Sequence, residues 1–298
     1  MMEMFNIESN DNTLFVTSQC NNRCLMCCQP PSLKKDIEIC WNRNLEIIDK
    51  SPLGIRDIGI SGGEPTLLGN KLPELIKIIR KKYPLAHIHI LSNGRLFNDY
   101  AFAESVKEAA YSNITVGVPL HSDYEYDHDY IAGAKGAYQD TMYGLYNLYN
   151  CGIDIELRIV INKHNYIRLP QISEFVFKNL PFVTWVAFMA MEDIGYCIKN
   201  RELIWAEPSE YANELEKAVV NLSDWGVDVS IYNIPLCLLN DRIKPFAQQS
   251  ISDWKTQFTP ICEQCKLKKQ CCGLFATAKH VYNGLTPFTD KEELDQLT

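Results

Sequence analysis

The run CNNRCLMCCQP, Cys20 to Pro30, spaces three cysteines as C-x3-C-x2-C at Cys20, Cys24 and Cys27. Thiolates this close together in one loop are metal ligands, and a 4Fe–4S cube takes one ligand per iron. Three cysteines hold three irons and leave the fourth open to something else. Zinc usually takes four tetrahedral ligands in separated pairs, and a ferredoxin would need a fourth cysteine at matching spacing. Cys28 adjoins Cys27 and is expected to point elsewhere. A strand-like segment, Thr13 to Thr17, precedes the run, and GGEPT follows it at residues 62–66.

Working outward, β-branched runs alternate with helical stretches up to about Tyr232. Strands are expected near 12–17, 55–61, 85–92, 113–120, 153–161 and 182–190, with helices near 41–50, 72–82, 99–110, 135–150, 168–179 and 208–224. Repeated strand–helix units imply an α/β fold with a parallel sheet and right-handed crossovers. Past Pro235 the alternation fades and cysteines cluster, so two domains are expected, 1–232 and 233–298.

Period-2 reading adds to this. Ile153, Ile155, Leu157, Ile159 and Ile161 share one face of the fifth strand, and Asp154, Glu156, Arg158 and Asn162 share the other. Ile114, Val116 and Val118 oppose Thr115, Gly117 and Pro119; Ile88 and Ile90 oppose His87 and His89; Ile58 and Ile60 oppose Asp57, Gly59 and Ser61. Covering helices need the apolar set, so the polar set faces inward. Two architectures fit: a partial, open barrel around a large ligand, or a flat sheet with one wet face. Parallel sheets are usually covered on both faces, which favours the barrel.

The chain has 298 residues and 46% apolar content, enough for one full core with an appendage. Its formal charge of −8 argues against non-specific nucleic-acid binding. The N-terminus has neither a basic n-region nor an apolar h-region, so no signal peptide is expected. No apolar run reaches the roughly 18 residues of a membrane span. Twelve cysteines without an export signal point to metal ligation in a reducing cytoplasm. Cys40, Cys151 and Cys197 read as small buried apolar residues.

Together, C-x3-C-x2-C and GGEPT resemble the radical S-adenosylmethionine (radical SAM) superfamily. Met26 stands where that family often has an aromatic. The resemblance implies a partial (β/α)6 barrel, a 4Fe–4S cluster on Cys20, Cys24 and Cys27, and SAM on its open iron. It further implies that the reduced cluster cleaves SAM to a 5′-deoxyadenosyl radical that abstracts hydrogen from substrate. The backbone of Gly62 and Gly63, with Glu64, would hold the amino group of SAM. Ser92 and Asn93 resemble the ribose-contacting position, although a plain Asn-Gly turn reads the same way. Arg158, inside an apolar strand, needs a partner, either Glu156 or the SAM carboxylate. His121 opens HSDYEYDHDY, which reads as a solvated loop or as a rim receiving a cationic or His-rich substrate. No catalytic residue is assigned.

Cys262, Cys265 and Cys271 form a C-x2-C-x5-C run that resembles the SPASM and Twitch extensions of peptide-modifying radical SAM enzymes. Phe275 stands where a full SPASM has a further cysteine. The resemblance therefore implies one auxiliary 4Fe–4S cluster on Cys237, Cys262, Cys265 and Cys271, with Cys272 as a substitute ligand. Structural zinc is the alternative. The stretches VPLHSD, GAKGAY, NLPFVTWVAFMAMEDIGY, SIYNIPLCLL, SISDWK and CEQCKLKKQCCG resemble the C-type maturases of His-Xaa-Ser peptide systems. That implies post-translational modification of a ribosomally made precursor peptide (RiPP). It also implies a second radical SAM maturase as partner and an external donor such as flavodoxin or ferredoxin. With fewer than twenty residues before Cys20, a winged-helix peptide-recognition domain is not expected. Two other functions stay open: a radical SAM enzyme for a small metabolite or nucleoside, and a non-catalytic iron–sulfur or zinc protein.

Overall fold

The computed structural model describes residues 4–9, 11–249 and 255–289. In chain order the elements begin with β1 (Thr13–Phe15), α1 (Ile37–Lys50), β2 (Asp57–Ser61), α2 (Lys71–Lys82), β3 (His87–Leu91) and α3 (Tyr100–Ala110). Next come β4 (Ile114–Pro119), α4 (Glu125–Ala132), α5 (Ala137–Asn150), β5 (Asp154–Val160), α6 (Leu169–Asn179) and β6 (Trp185–Met189). Two four-residue helices, α7 (Tyr196–Lys199) and α8 (Arg201–Ile204), lead into α9 (Pro208–Asp224), β7 (Asp228–Tyr232) and β8 (Ala247–Gln248). A separate antiparallel pair, β9 (Thr256–Gln257) and β10 (Leu274–Phe275), completes the described chain.

The main sheet has the sequential order β1 to β8. This is the α/β architecture expected of a partial barrel, with two strands more than the six read from sequence. β7 (DVSIY) alternates Val229 and Ile231 with Asp228, Ser230 and Tyr232 but buries Val229, Ser230 and Ile231 alike, and β8 has two residues, too few for a period. The sheet also continues beyond residue 232, because β8 pairs in parallel with β7. Of the SISDWK stretch only Lys255 is described; residues 250–254, like 290–298, lie outside the described residues.

The chain divides into two compact units. The first comprises residues up to Cys24, Gln29–Pro119 and His128–Glu156; the second comprises Leu25–Cys28, Leu120–Asp127 and everything from Leu157. In the first unit, β1 to β4 are in parallel register, with Thr13 beside Gly59, Gly59 beside His89, and His89 beside Thr115. β2 and β3 both alternate buried and half-buried residues. Ile58, Ile60, Ile88 and Ile90 are fully buried, as are Leu72, Leu75, Ile76 and Ile79 of α2. Each such side chain contributes about 1.5–3 kcal/mol by leaving water. Asp99 caps α3 by accepting hydrogen bonds from the N–H groups of Ala101 and Phe102.

In the second unit, β6 and β7 pair in parallel from Trp185 beside Asp228 to Met189 beside Tyr232. α9 opens with Pro208 at its first position and a reciprocal capping box between Glu207 and Glu210. Its buried face carries Tyr211, Leu215, Ala218, Val219 and Leu222.

Candidate functional site

β1 and β2 stay joined past their strand ends. Val16 N–H donates to Ser61 O at 2.9 Å, Gly63 N–H to Thr17 O at 2.6 Å, and Glu64 N–H to Gln19 O at 2.8 Å. GGE therefore carries the backbone of β1 rung by rung to Cys20. A side chain on Gly63 would lie 2.2 Å from Gln19 O, and one on Gly62 would lie 2.5 Å from Thr17 O. The close backbone approach read from this pair of glycines is thus made to the chain entering the cysteine loop. Asp36 reinforces it by accepting from Thr17 Oγ1 at 2.8 Å and Ser18 N–H at 2.9 Å. Although burial opposes it, the bonds from Ser18 and Thr17 hold Asp36 below the usual carboxylate range.

Glu64 is buried at the centre of this corner. Its Oε1 accepts from Thr66 N–H (3.0 Å), Thr66 Oγ1 (2.6 Å) and Ser92 Oγ (2.7 Å), and its Oε2 accepts from Asn93 N–H (2.7 Å). A carboxylate has about four acceptor positions, so Glu64 ties the end of β2 to that of β3. Burial pushes its carboxyl up, and the Thr66, Asn93 and Ser92 bonds pull the other way. Asn93 Nδ2 donates to Asn21 Oδ1 at 2.6 Å, inside the cysteine loop.

Two residues not read from the sequence complete this corner. Arg95 donates to Asn21 O at 3.0 Å and to Asn22 Oδ1 at 2.9 Å, and binds Asp140 through Nε and Nη2 at 3.1 and 2.9 Å. A planar guanidinium suits such multiple acceptors. The only sequence signal was an arginine directly after Gly94. Burial pushes the Cys20 thiol up, against a hydrogen bond from Asn22 N–H.

Arg158 is half-buried in the second unit and donates from Nη2 to Met189 Sδ at 3.2 Å. In the first unit, Glu156 is buried, with its Oε2 2.8 Å from His89 Nε2. HSDYEYDHDY is not a loop throughout, since α4 starts at Glu125. Tyr124, Tyr126 and Tyr130 are exposed, whereas His121, Ser122 and His128 are buried. Asp123 pairs with Arg168 at 2.6 Å. Burial lowers the His121 imidazole to about 4, so it is neutral at physiological pH. Cys40 and Cys197 are buried, Cys151 is half-buried and Cys28 is exposed.

In the second unit, Cys237, Cys262, Cys265 and Cys271 line one cavity of about 450 Å³, counting its solvent-open part. Leu236, Phe258, Ile261, Leu267 and Phe288 supply apolar walls. Cys271 Sγ accepts from Leu236 N–H and Gly273 N–H, both at 3.4 Å. A hydrogen bond from Cys272 is the largest cause lowering the Cys271 thiol to about 6. Cys272 itself is buried and does not line the cavity. Among the described residues, no three His, Cys, Asp or Glu side chains form a group able to hold a single metal ion. Four thiols around an apolar space have the composition that a 4Fe–4S cube takes. Among the described residues no helix is long and apolar enough to cross a membrane.

Known proteins bear on this geometry. The chain is 34% identical over 163 residues to the Fe-coproporphyrin III synthase of Methanosarcina barkeri, a match covering 54% of this chain and 39% of that protein. It is 35% identical over 107 residues to the GTP 3′,8-cyclase of Petrotoga mobilis, covering 35% and 32% respectively. The chain thus spans less than half the length of these curated relatives. Among solved structures, anSMEcpe with bound AdoMet and the Kp18Cys peptide superposes with a TM-score of 0.63 at 15% identity, over 96% of this chain and 94% of that one. SuiB of Streptococcus suis bound to S-adenosylmethionine gives 0.56 at 15% identity, over 74% and 49%. At such identities these two show a shared fold. The sequence model of the radical SAM superfamily matches residues 14–176, which include the cysteine loop, GGEPT, most of β1 and all of β2 to β5. With more than half of its length under that match, the chain belongs to the radical SAM superfamily.

Proposed function

We propose that this chain is a radical SAM peptide maturase of the His-Xaa-Ser type that modifies a ribosomally made precursor peptide. Cys20, Cys24 and Cys27 would hold the SAM-binding 4Fe–4S cluster. SAM would lie against the backbone of Gly62 and Gly63, with Ser92, Asn93 and Arg158 around it. Glu64 would hold the amino group of SAM through Oε2, which accepts from Asn93 N–H alone, while its Oε1 bonds fix the strand ends that carry Ser92 and Asn93. When bound, cluster and SAM supply a carbon-centred radical able to take hydrogen from an unactivated C–H bond; the protein supplies binding and orientation. Cys237, Cys262, Cys265 and Cys271 would hold a second 4Fe–4S cluster. The functional division is 1–232 for the core and 233–298 for the cluster-bearing extension. Partners on this reading are the peptide, a second maturase and a flavodoxin- or ferredoxin-like donor, all in the cytoplasm.

The observation that carries the reading is the meeting of four C-terminal thiols in one apolar cavity. The likeness to a peptide-bound enzyme over nearly the whole chain supports a peptide substrate. A second reading, a small nucleotide or tetrapyrrole substrate, is favoured by the names of the sequence relatives. Anaerobic co-expression with the candidate His-Xaa-Ser peptide, followed by mass analysis, separates the two. Loss of two hydrogens from the peptide is expected. An unmodified peptide beside SAM cleavage stimulated by a nucleotide or porphyrin would favour the second reading.

A further inference from the structure

The cysteine loop is gripped by two turns that belong to neither C-x3-C-x2-C nor GGEPT. In the first unit, Arg23 N–H donates to Ala132 O at 2.9 Å. A side chain on the next residue, Gly133, would stand 2.4 Å from Arg23 O. In the second unit, Tyr196 N–H donates to Cys27 O at 2.8 Å, and Asn200 Nδ2 donates to Leu25 O at 2.8 Å. A side chain on Gly195 would stand 2.5 Å from Cys27 O and 2.6 Å from Cys28 O. Both glycines also have φ of +60°, where other residues are strained. Contact and backbone angle independently close each position to anything larger.

Each turn is fastened by a carboxylate just before it. Asp129 accepts from the N–H groups of Gly136 and Tyr138, spanning the turn that holds Gly133. Asp193 is buried, pairs with Arg201, and accepts from Lys279 N–H at 3.2 Å and His280 N–H at 3.1 Å. Glu192 beside it accepts from Thr277 Oγ1 at 3.2 Å. The turn holding Cys27 is thus itself held by the C-terminal segment.

We infer that the Gly133 and Gly195 turns, fastened by Asp129 and Asp193, are positioning elements that set the Cys24 and Cys27 thiols before the cluster is loaded. This rests on the reading of Cys20, Cys24 and Cys27 as cluster ligands. Three thiolates on a free loop would lose conformational freedom when the cluster binds, and a loop already gripped through its carbonyl oxygens loses less.

The test compares substitutions matched for backbone strain. Gly133→Ala and Gly195→Ala add a carbon against the loop. Gly69→Ala and Gly226→Ala also have positive φ, +55° and +81°, but their added carbon meets nothing within 4 Å. In the iron-free full chain, alkylation by iodoacetamide is followed by mass spectrometry, reading Cys24 and Cys27 against Cys20. Alkylation of Cys24 in Gly133→Ala and of Cys27 in Gly195→Ala should rise about tenfold through local opening, while the controls keep the wild-type ratio. After reconstitution, the SAM-induced change in the electron paramagnetic resonance spectrum of the reduced N-terminal cluster should weaken in the same two variants. Asp129→Asn and Asp193→Asn add no bulk and serve where an alanine variant does not fold; a smaller rise at the same cysteine is expected. Equal ratios in test and control variants, or unchanged ratios in both Asp variants, would overturn the inference. If the wild-type loop takes up no iron, the ligand reading fails, yet the alkylation ratios, read without iron, still judge the grip.

Discussion

The strand-end corner around Glu64 and the cavity of four thiols differ in what holds them. In the corner, one buried carboxylate is held by four protein donors, and backbone rungs continue the sheet to Cys20. Around the cavity, regular structure is limited to two-residue strands and short 3-10 turns. The corner is built by the polypeptide alone. The cavity segment lacks such a framework, and on the proposed reading its missing contribution comes from the group it binds, since metal-binding free energy is folding free energy in such segments.

The largest expected effect tests this contrast. Wild-type chain reconstituted anaerobically should carry about eight irons, and Cys262→Ala or Cys265→Ala about four. In those variants proteolysis should cut between residues 255 and 289, while the corner stays protected. Eight irons retained in both variants, or cleavage spread evenly through the chain, would erase the distinction.

Glu64→Ala attacks the corner. It leaves buried donors on Thr66, Ser92 and Asn93 without an acceptor, and removing one partner from such a network costs about 3–5 kcal/mol. Urea denaturation of the iron-free chain measures it. Glu64→Gln, which keeps one carbonyl acceptor, should lose less. A loss below about 1 kcal/mol for Glu64→Ala would mean that water replaces the carboxylate.

A third effect depends on pH. His121 has its ordinary value of 6.5 in the unfolded chain and about 4 in the folded one. Above 6.5 both states are neutral and the site costs nothing. As pH falls from 6.5 towards 4 the unfolded chain takes up a proton that the folded chain refuses, so stability falls. The full gap amounts to about 3 kcal/mol. His121→Asn should flatten the difference in stability between pH 7 and pH 4.5; an unchanged slope would assign acid sensitivity to other groups.

Much of this was legible beforehand, for reasons that individual residues make plain. α2 declared itself because Leu72, Leu75, Ile76 and Ile79 repeat at helical spacing, and β2 because Ile58 and Ile60 alternate with Asp57, Gly59 and Ser61. α4 did not, since its eight residues bury only His128, Ile131 and Ala132. β8, at two residues, is too short to show a period, whereas β7 is as long as β2 and carries the same alternation. At the site, spacing exposed the cysteines because metal ligation constrains residue type. The roles of Arg95, Gly133 and Gly195 depend on carbonyl oxygens far along the chain, and backbone acceptors leave no mark on residue identity. Glu64 lies between these cases: its motif was visible, but its four bonds required the ends of β2 and β3 to meet.

The smallest effect sharpens the contrast by standing outside both regions. Asp99 caps α3 through the N–H groups of Ala101 and Phe102, at 3.0 and 3.4 Å, and touches neither the corner nor the cavity. Asp99→Ala leaves those donors to water and should cost about 1 kcal/mol, read as a lower urea midpoint with an unchanged slope. Iron content and Cys24 and Cys27 alkylation should stay at wild-type levels, because a lost cap frays one helix end without moving the loop. If this mild destabilisation also lowered iron content, cluster retention would follow global stability, and the separate roles assigned to the corner and the cavity would merge into one.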